Sequence, residues 1–306
     1  MPRNLILSVS HGYYYYDVSR FIESLKKVGY SGHVCLFVGL STKAHTIRQL
    51  RAAGIEIITF RDTFPFIDQP HPANFQNLPN PIHIWNFRHF MYYNYLLEHE
   101  GEFDNVLLSD SRDVAFQRDP FSFDLGGMLN VAIEDRNTPL RSTPSNAEWI
   151  MKGYGQEVLE EIGDFPVSCA GTTLGPAPII KAYLHTLLTE ICSVRDAMNC
   201  ADQAIHNVLL NRGQLGQVQR LYNDNGPVLT IGTLAQNTSF KLDSEGYILN
   251  EVGERAHILH QYDRHPELNK VVDKLAYTSA LRRKYLYVRD LVYLRNKYRK
   301  FKQGRG

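Results

Sequence analysis

The chain has 306 residues, with 33 Lys and Arg against 32 Asp and Glu, for a formal net charge of +1. Hydrophobic residues make up 43% and charged residues 21%, which fits a globular core and excludes a disordered, collagenous or membrane-spanning chain. No run approaches the ~18 consecutive apolar residues of a membrane span.

The N-terminal apolar run Leu5-Ile6-Leu7 is too short for a signal peptide. Cys35, Cys169, Cys192 and Cys200 contain no Cys-x-x-Cys pair. That argues against a zinc knuckle or disulfide framework and for reduced thiols in a cytoplasmic setting.

In chain order, Leu5, Ile6, Leu7 and Val9 predict a buried strand over 4–10. Tyr14, Val18, Phe21, Ile22, Leu25 and Val28 recur at helical spacing up to Gly29, where a helix would end. A strand over 33–38, a helix over 42–53 and a strand over 55–60 follow. Strands joined by helices imply a parallel sheet covered by helices. Residues 61–83 hold Pro65, Pro70, Pro72, Pro79 and Pro81 and read as a long loop, a functional lid or a disordered segment.

The next helix is expected over 84–98, with Trp85, Phe90, Met91 and Leu97 on its apolar face. A strand over 105–109 then runs into Asp110-Ser111-Arg112-Asp113, and a further strand is expected over 130–133. Residues 134–166 read as polar and turn-rich, with one helix around 146–152. The stripe Ile179, Ile180, Tyr183, Leu184, Leu187, Leu188 and Ile191 marks the clearest helix, and another spans 202–210. Short strands near 217–221 and 257–260 precede a helical, basic C-terminus.

That terminus hides a charge asymmetry. Residues 281–306 carry ten Lys and Arg against Asp290 alone, so the remaining chain is net acidic. Leu281, Tyr285, Val288, Leu291, Val292 and Tyr298 alternate with the cations, a pattern for an amphipathic helix on an anionic membrane or for a helix packed on the protein. Nucleic acid is disfavoured, because no recognised binding module accompanies the tail.

Chemistry is expected where strands end. Ligands of open α/β sheets bind beyond the carboxyl ends of their strands, and Asp110 and Asp113 leave such an end. Two carboxylates there can hold Mg²⁺ or Mn²⁺ with positions left for phosphate. The alternative is that Asp110 opens a turn and Asp113 pairs with Arg112.

The stretch 105–121, with 257–266, 169–175 and 202–207, resembles the GT-A glycosyltransferases in the order and spacing of its motifs. The resemblance covers most of residues 4–266 and is closest to the family-8-like branch of glycogenin and bacterial galactosyltransferases. The family places one residue between its aspartates; here Ser111 and Arg112 stand between Asp110 and Asp113.

The resemblance implies an α/β GT-A fold, a Rossmann-like, mainly parallel sheet flanked by helices, over 1–266, with 267–306 as a helical extension. It implies Asp113 as a direct metal ligand, Asp110 on metal and ribose, and His260 completing the metal shell. Arg264 would meet the pyrophosphate, and Ser8, Val9 and Ser10 the base and ribose. Gly171 would line the donor-sugar pocket, Asp202 and Gln203 would contact sugar hydroxyls, and Arg88 would face the donor.

The implied activity is Mn²⁺- or Mg²⁺-dependent transfer of a sugar from a nucleotide-diphosphate donor, UDP-sugar favoured, to a hydroxyl of a glycan or lipid-linked saccharide. Retention of configuration is implied; inversion would need a base, for which Asp202 and Asp263 are candidates. A cytoplasmic enzyme using its tail at the inner face of a membrane would suit such an acceptor. The rival readings are a metal-dependent phosphoesterase or nucleotidyltransferase using the same aspartates, and a non-catalytic carbohydrate-binding scaffold.

Overall fold

A computed structural model describes residues 2–62, 66–67, 82–196, 201–235 and 238–278. In chain order the first half holds β1 (Asn4–Ser10), α1 (Tyr15–Lys27), β2 (His33–Gly39), α2 (Ala44–Ala52), β3 (Glu56–Phe60), β4 (Phe66–Ile67), β5 (Ile82–His83), α3 (Ile84–Glu98), β6 (Asn105–Ser109), β7 (Val114–Phe116) and β8 (Leu129–Ile133). The second half holds α4 (Pro144–Tyr154), α5 (Gln156–Ile162), β9 (Ser168–Pro176), α6 (Ala177–Ser193), α7 (Asp202–Asn211), β10 (Val218–Leu221), β11 (Val228–Thr230), β12 (Ile258–His260) and α8 (Pro266–Ala276).

Alternation along the central strands sets the layers. Leu5 and Leu7 of β1 face one apolar cluster and Ile6 the other; Cys35 and Phe37 of β2 likewise oppose Val34, Leu36 and Val38. Strands apolar on both faces need cover on both sides. Helices α1 and α2 cover one face, while α3, α6 and α7 cover the other. The result is a mixed α/β fold around a seven-stranded sheet in the order β10-β8-β9-β6-β1-β2-β3. Every pairing is parallel except the two made by β9.

A second sheet orders β11-β12-β7 and brings β12 beside the β6–β7 turn. Helix α8 packs on this body. Leu268 and Val272 bury with Leu259 and Tyr262, Arg20 Nε donates to Asp273 Oδ1 at 2.7 Å, and the Ser19 and Tyr277 hydroxyls lie 2.5 Å apart. The basic stretch 281–306 lies outside the described residues, as do Cys200 and most of the proline-rich segment. Cys35, Cys169 and Cys192 are free thiols. No helix among the described residues is long and apolar enough to cross a membrane.

The structure departs from the sequence reading at several elements. Residues 168–176 form a nine-residue strand, and 156–162 add a second helix after Gly155, whose φ is 89°. β7 and β11 are three-residue strands held by their neighbours more than by pattern. On α3, Phe90 and Met91 are buried as expected, whereas Leu97 and Trp85 are exposed.

His206 on α7 shows how polar groups are housed in this core. It is fully buried, with Nε2 2.9 Å from Ser168 Oγ and Nδ1 2.9 Å from Tyr183 OH. Burial draws its pKa down to about 4. The folded state therefore keeps it neutral where the unfolded chain, with a pKa near 6.5, takes up a proton. Stability is expected to fall as pH drops from about 6.5 to 4, by up to about 3 kcal/mol from this residue. His206→Gln should flatten the melting-temperature profile in that window; an unchanged slope would reject the assignment.

Candidate metal centre

Asp110 emerges at the carboxyl end of β6, and β7 begins immediately after Asp113, so both acids sit in one tight turn. β12 pairs antiparallel with β7 in the register His260↔Val114, and the Gln261 N–H donates to the Asp113 carbonyl at 2.8 Å. His260 is thereby set against the turn. Its Nε2 lies 3.4 Å from Asp110 Oδ2 and 4.0 Å from Asp113 Oδ1, and one ligand atom from each residue falls within 4.8 Å of the others.

The surroundings suit a cation. His260 Nδ1 faces Thr172 Oγ1 at 3.4 Å and Cys169 Sγ at 3.6 Å, which turns Nε2 toward the carboxylates. That Nε2 is buried and has no hydrogen-bond partner among the described residues. Two carboxylates and one imidazole form a donor set for Mn²⁺ or Mg²⁺ with positions left for substrate oxygens.

The third wall is backbone. Between the pairs Ala132↔Cys169 and Val131↔Thr173, strand β9 bulges through residues 170–172. At the bulge the Gly171 carbonyl accepts the Asp110 N–H at 2.9 Å. A Cβ on Gly171 would lie 2.5 Å from Asp110 Oδ2 and 2.6 Å from His260 Cε1. Gly171→Ala is therefore expected to push two ligands apart and lower Mn²⁺ affinity by about 10–100-fold, the scale of outer-shell changes. An unaltered Mn²⁺ titration would show that this close approach is irrelevant to metal.

Charges converge here. Burial and the negative Asp110 and Asp263 raise the Asp113 pKa. Burial alone would also raise that of Asp110, but Arg88 and His260 reverse it and hold the carboxyl well below its usual range. For His260, burial works downward, and Cys169, Asp110 and Asp113 outweigh it so that the imidazole holds its proton above the usual range. A bound divalent cation would supply the positive charge that this proton now supplies.

Arg88 on α3 joins the acids. Its Nη1 bonds Asp110 Oδ1, while Nη2 and Nε donate to Asp202 Oδ2 at 2.6 and 3.0 Å. His89 Nε2 lies 2.7 Å from that same Asp202 oxygen, and Oδ1 accepts the Gln203 N–H at 2.9 Å. Burial alone would raise the Asp202 pKa, yet Arg88 and His89 bring it to about 2, which makes it a poor proton acceptor. The Gln203 amide accepts from Ala170 N at 2.9 Å and donates to the Ser168 carbonyl at 2.9 Å, pinning the bulge of β9.

Arg88, Asp110, Asp113, Gly171, Asp202 and Gln203 line one cleft of about 560 Å³, within the range of small-molecule sites, while His260 is fully buried behind its wall. Val9 reaches it, whereas Ser8 and Ser10 are fully buried and do not; His11 and Tyr13 take their place. Asp263 lies off the cleft and pairs with Arg112 at 2.9 Å, so Arg112 serves Asp263 and not Asp113. Arg264 lines the cleft, packed over Gly232, and its guanidinium has no hydrogen bond or ion pair among the described residues.

Among the cleft residues that escaped the sequence reading, two stand out. Glu134 follows β8 as Asp110 follows β6. It is 4% exposed, burial raises its pKa, and its Oε2 has no partner among the described residues. Gln261, directly after His260, is the one non-glycine among the described residues in the left-handed region, at φ 60°, a conformation costing roughly 1–3 kcal/mol. Position after an apolar run was the available signal for Glu134; nothing in the sequence marks Gln261. No protein-family model matches this sequence, and no curated protein matches it.

Proposed function

We propose that the chain is a metal-dependent glycosyltransferase of GT-A type, moving a sugar from a nucleotide-diphosphate donor to a hydroxyl of a saccharide acceptor. The observation that carries this reading is the convergence of half-buried Asp110 with buried Asp113 and His260 at the strand ends, with the unpaired Arg264 on the same cleft. A Mn²⁺ or Mg²⁺ ion held by the trio would act as a Lewis acid toward the diphosphate of the leaving group. Arg264 supplies a free guanidinium fork for phosphate oxygens, and Arg88 fixes the orientation of Asp110.

Asp202 and Asp263 are both engaged by arginines, which disqualifies them as bases. Glu134 is the cleft carboxyl that lacks an ion pair and has its pKa raised by burial. It is our candidate to take the acceptor's proton, a role that belongs to an inverting transfer and not to the retaining one the resemblance implied. In this reading the basic segment 281–306 offers an anionic membrane surface a point of attachment.

The test is a thermal-shift screen of UDP, GDP, CDP, dTDP and their sugar conjugates, with and without Mn²⁺. Ligands that bind the folded state raise its apparent stability by mass action. A shift confined to one nucleotide and requiring Mn²⁺ is expected. No shift with any of them would remove the reading. A shift with Mn²⁺ alone, joined to cleavage of a phosphodiester lacking a glycosyl bond, would assign the trio to phosphoester chemistry.

A further inference from the structure

The chain contains two tryptophans, and both line the cleft onto which Asp110 and Asp113 open. Trp85, in the first turn of α3, is 46% exposed. Trp149, on α4, is half-buried. Their ring centroids lie 5.9 Å apart at 64°, and the His83 ring sits 4.0 Å from that of Trp85. Residues three apart share a helix face, so Trp85 stands one turn before Arg88, the residue that grips Asp110. Trp149 stands one turn after Asn146, which lines the same cleft with Thr143 and Ser145.

Two features of this wall call for a ligand. An indole is worth burying, with 150–250 Å² of mostly apolar surface, yet the fold leaves Trp85 open to the cleft. Asn146 is 5% exposed, and its Oδ1 is buried without a hydrogen-bond partner among the described residues. A buried acceptor left unpaired costs about 1–3 kcal/mol. The occupant must therefore offer an apolar face and a hydroxyl or amide donor at its rim.

We infer that this wall is a saccharide subsite. A pyranose ring presents a C–H face to the indole and a rim of hydroxyls, one of which donates to Asn146 Oδ1. An acyl chain would leave that oxygen unpaired. A flat nucleobase would want a parallel slot, whereas two indoles at 64° form a corner. That the wall is the acceptor side of the reaction rests on the glycosyltransferase reading; the saccharide subsite is tested apart from it.

Because the chain's two tryptophans both stand in this wall, fluorescence excited at the red edge of indole absorption, beyond that of the 18 tyrosines, reports on it. The full-length protein, without metal or nucleotide, would be titrated with maltotriose, cellotriose, chitotriose, mannotriose and lactose, and separately with UDP. A saturable change in emission with at least one saccharide, and none with UDP, is expected. Trp85→Ala should weaken that binding at least tenfold, read by the remaining Trp149, while Trp85→Phe retains most of it. Asn146→Ala should weaken it as well.

Silence with all five saccharides, an emission change produced by UDP alone, or unweakened saccharide binding by Trp85→Ala with its far-UV spectrum intact would each overturn the inference. Loss of the Mn²⁺–nucleotide shift together with retained saccharide binding would remove the transferase reading and leave the subsite standing.

Discussion

Asp113→Asn is expected to abolish Mn²⁺-dependent nucleotide binding while leaving the apo protein at least as stable as the parent. Asp113 is 8% exposed, and its charge is opposed both by burial and by two neighbouring carboxylates. Removing that charge relieves a strained arrangement in the apo fold and would delete the proposed direct ligand of the cation. The loss in Mn²⁺ affinity should exceed the roughly 10–100-fold typical of outer-shell changes, measured by calorimetric titration beside a thermal melt. Retained Mn²⁺-dependent binding would sink the metal assignment. A lower apo melting temperature would make Asp113 a structural residue.

Arg88→Ala should produce the largest loss of stability in the site. The guanidinium bridges Asp110 and Asp202, and the Asp202 side chain is only 5% exposed. Without Arg88, Asp202 would have His89 as its remaining charged partner, and burial lowers the His89 pKa. Breaking a buried pair by removing one side costs about 3–5 kcal/mol, because the other charge stays buried. Urea unfolding would read this directly. Arg88→Lys should recover only part of it, since an ammonium cannot fork across two carboxylates. A cost below about 1 kcal/mol, the worth of an exposed pair, would show that the bridge does not anchor Asp202.

How legible the fold was depended on how each element is stabilised. Strands β1, β2 and β6 announce themselves because they are buried on both faces and so carry continuous apolar runs. β9 does not. Its sequence Ser-Cys-Ala-Gly-Thr-Thr-Leu-Gly-Pro is small and polar, because part of it bulges toward the cleft and Gln203 holds it through the backbone. Asp110 and Asp113 were legible because strand ends carry chemistry in such sheets, and His260 only through the family resemblance; the structure brings the three together.

Roles that depend on tertiary partners were not legible in the same way. Asp202 reads as a helix-opening acid in sequence, and only α3, packed alongside, turns it into the anchor of Arg88. The sequence reading sets Trp85 on one apolar face with Phe90 and Met91, but residues five and six apart do not share a helix face, and its place in the first turn opens it to the cleft. Local periodicity cannot report where a core ends.

The placement of β9 also bears on how the protein assembles as it is made. β9 lies between β6 and β8, both of which leave the ribosome before it, so the β10-β8 half of the sheet cannot join the β6-β1-β2-β3 half until β9 slots in. The early half, rich in local βαβ contacts, can organise first, and the non-local pairings follow more slowly. His260 arrives later still, on a strand that must find β7. A nascent chain thus presents Asp110 and Asp113 long before His260 can be set against them. On the proposed reading, tight cation binding begins only once the chain extends past β12.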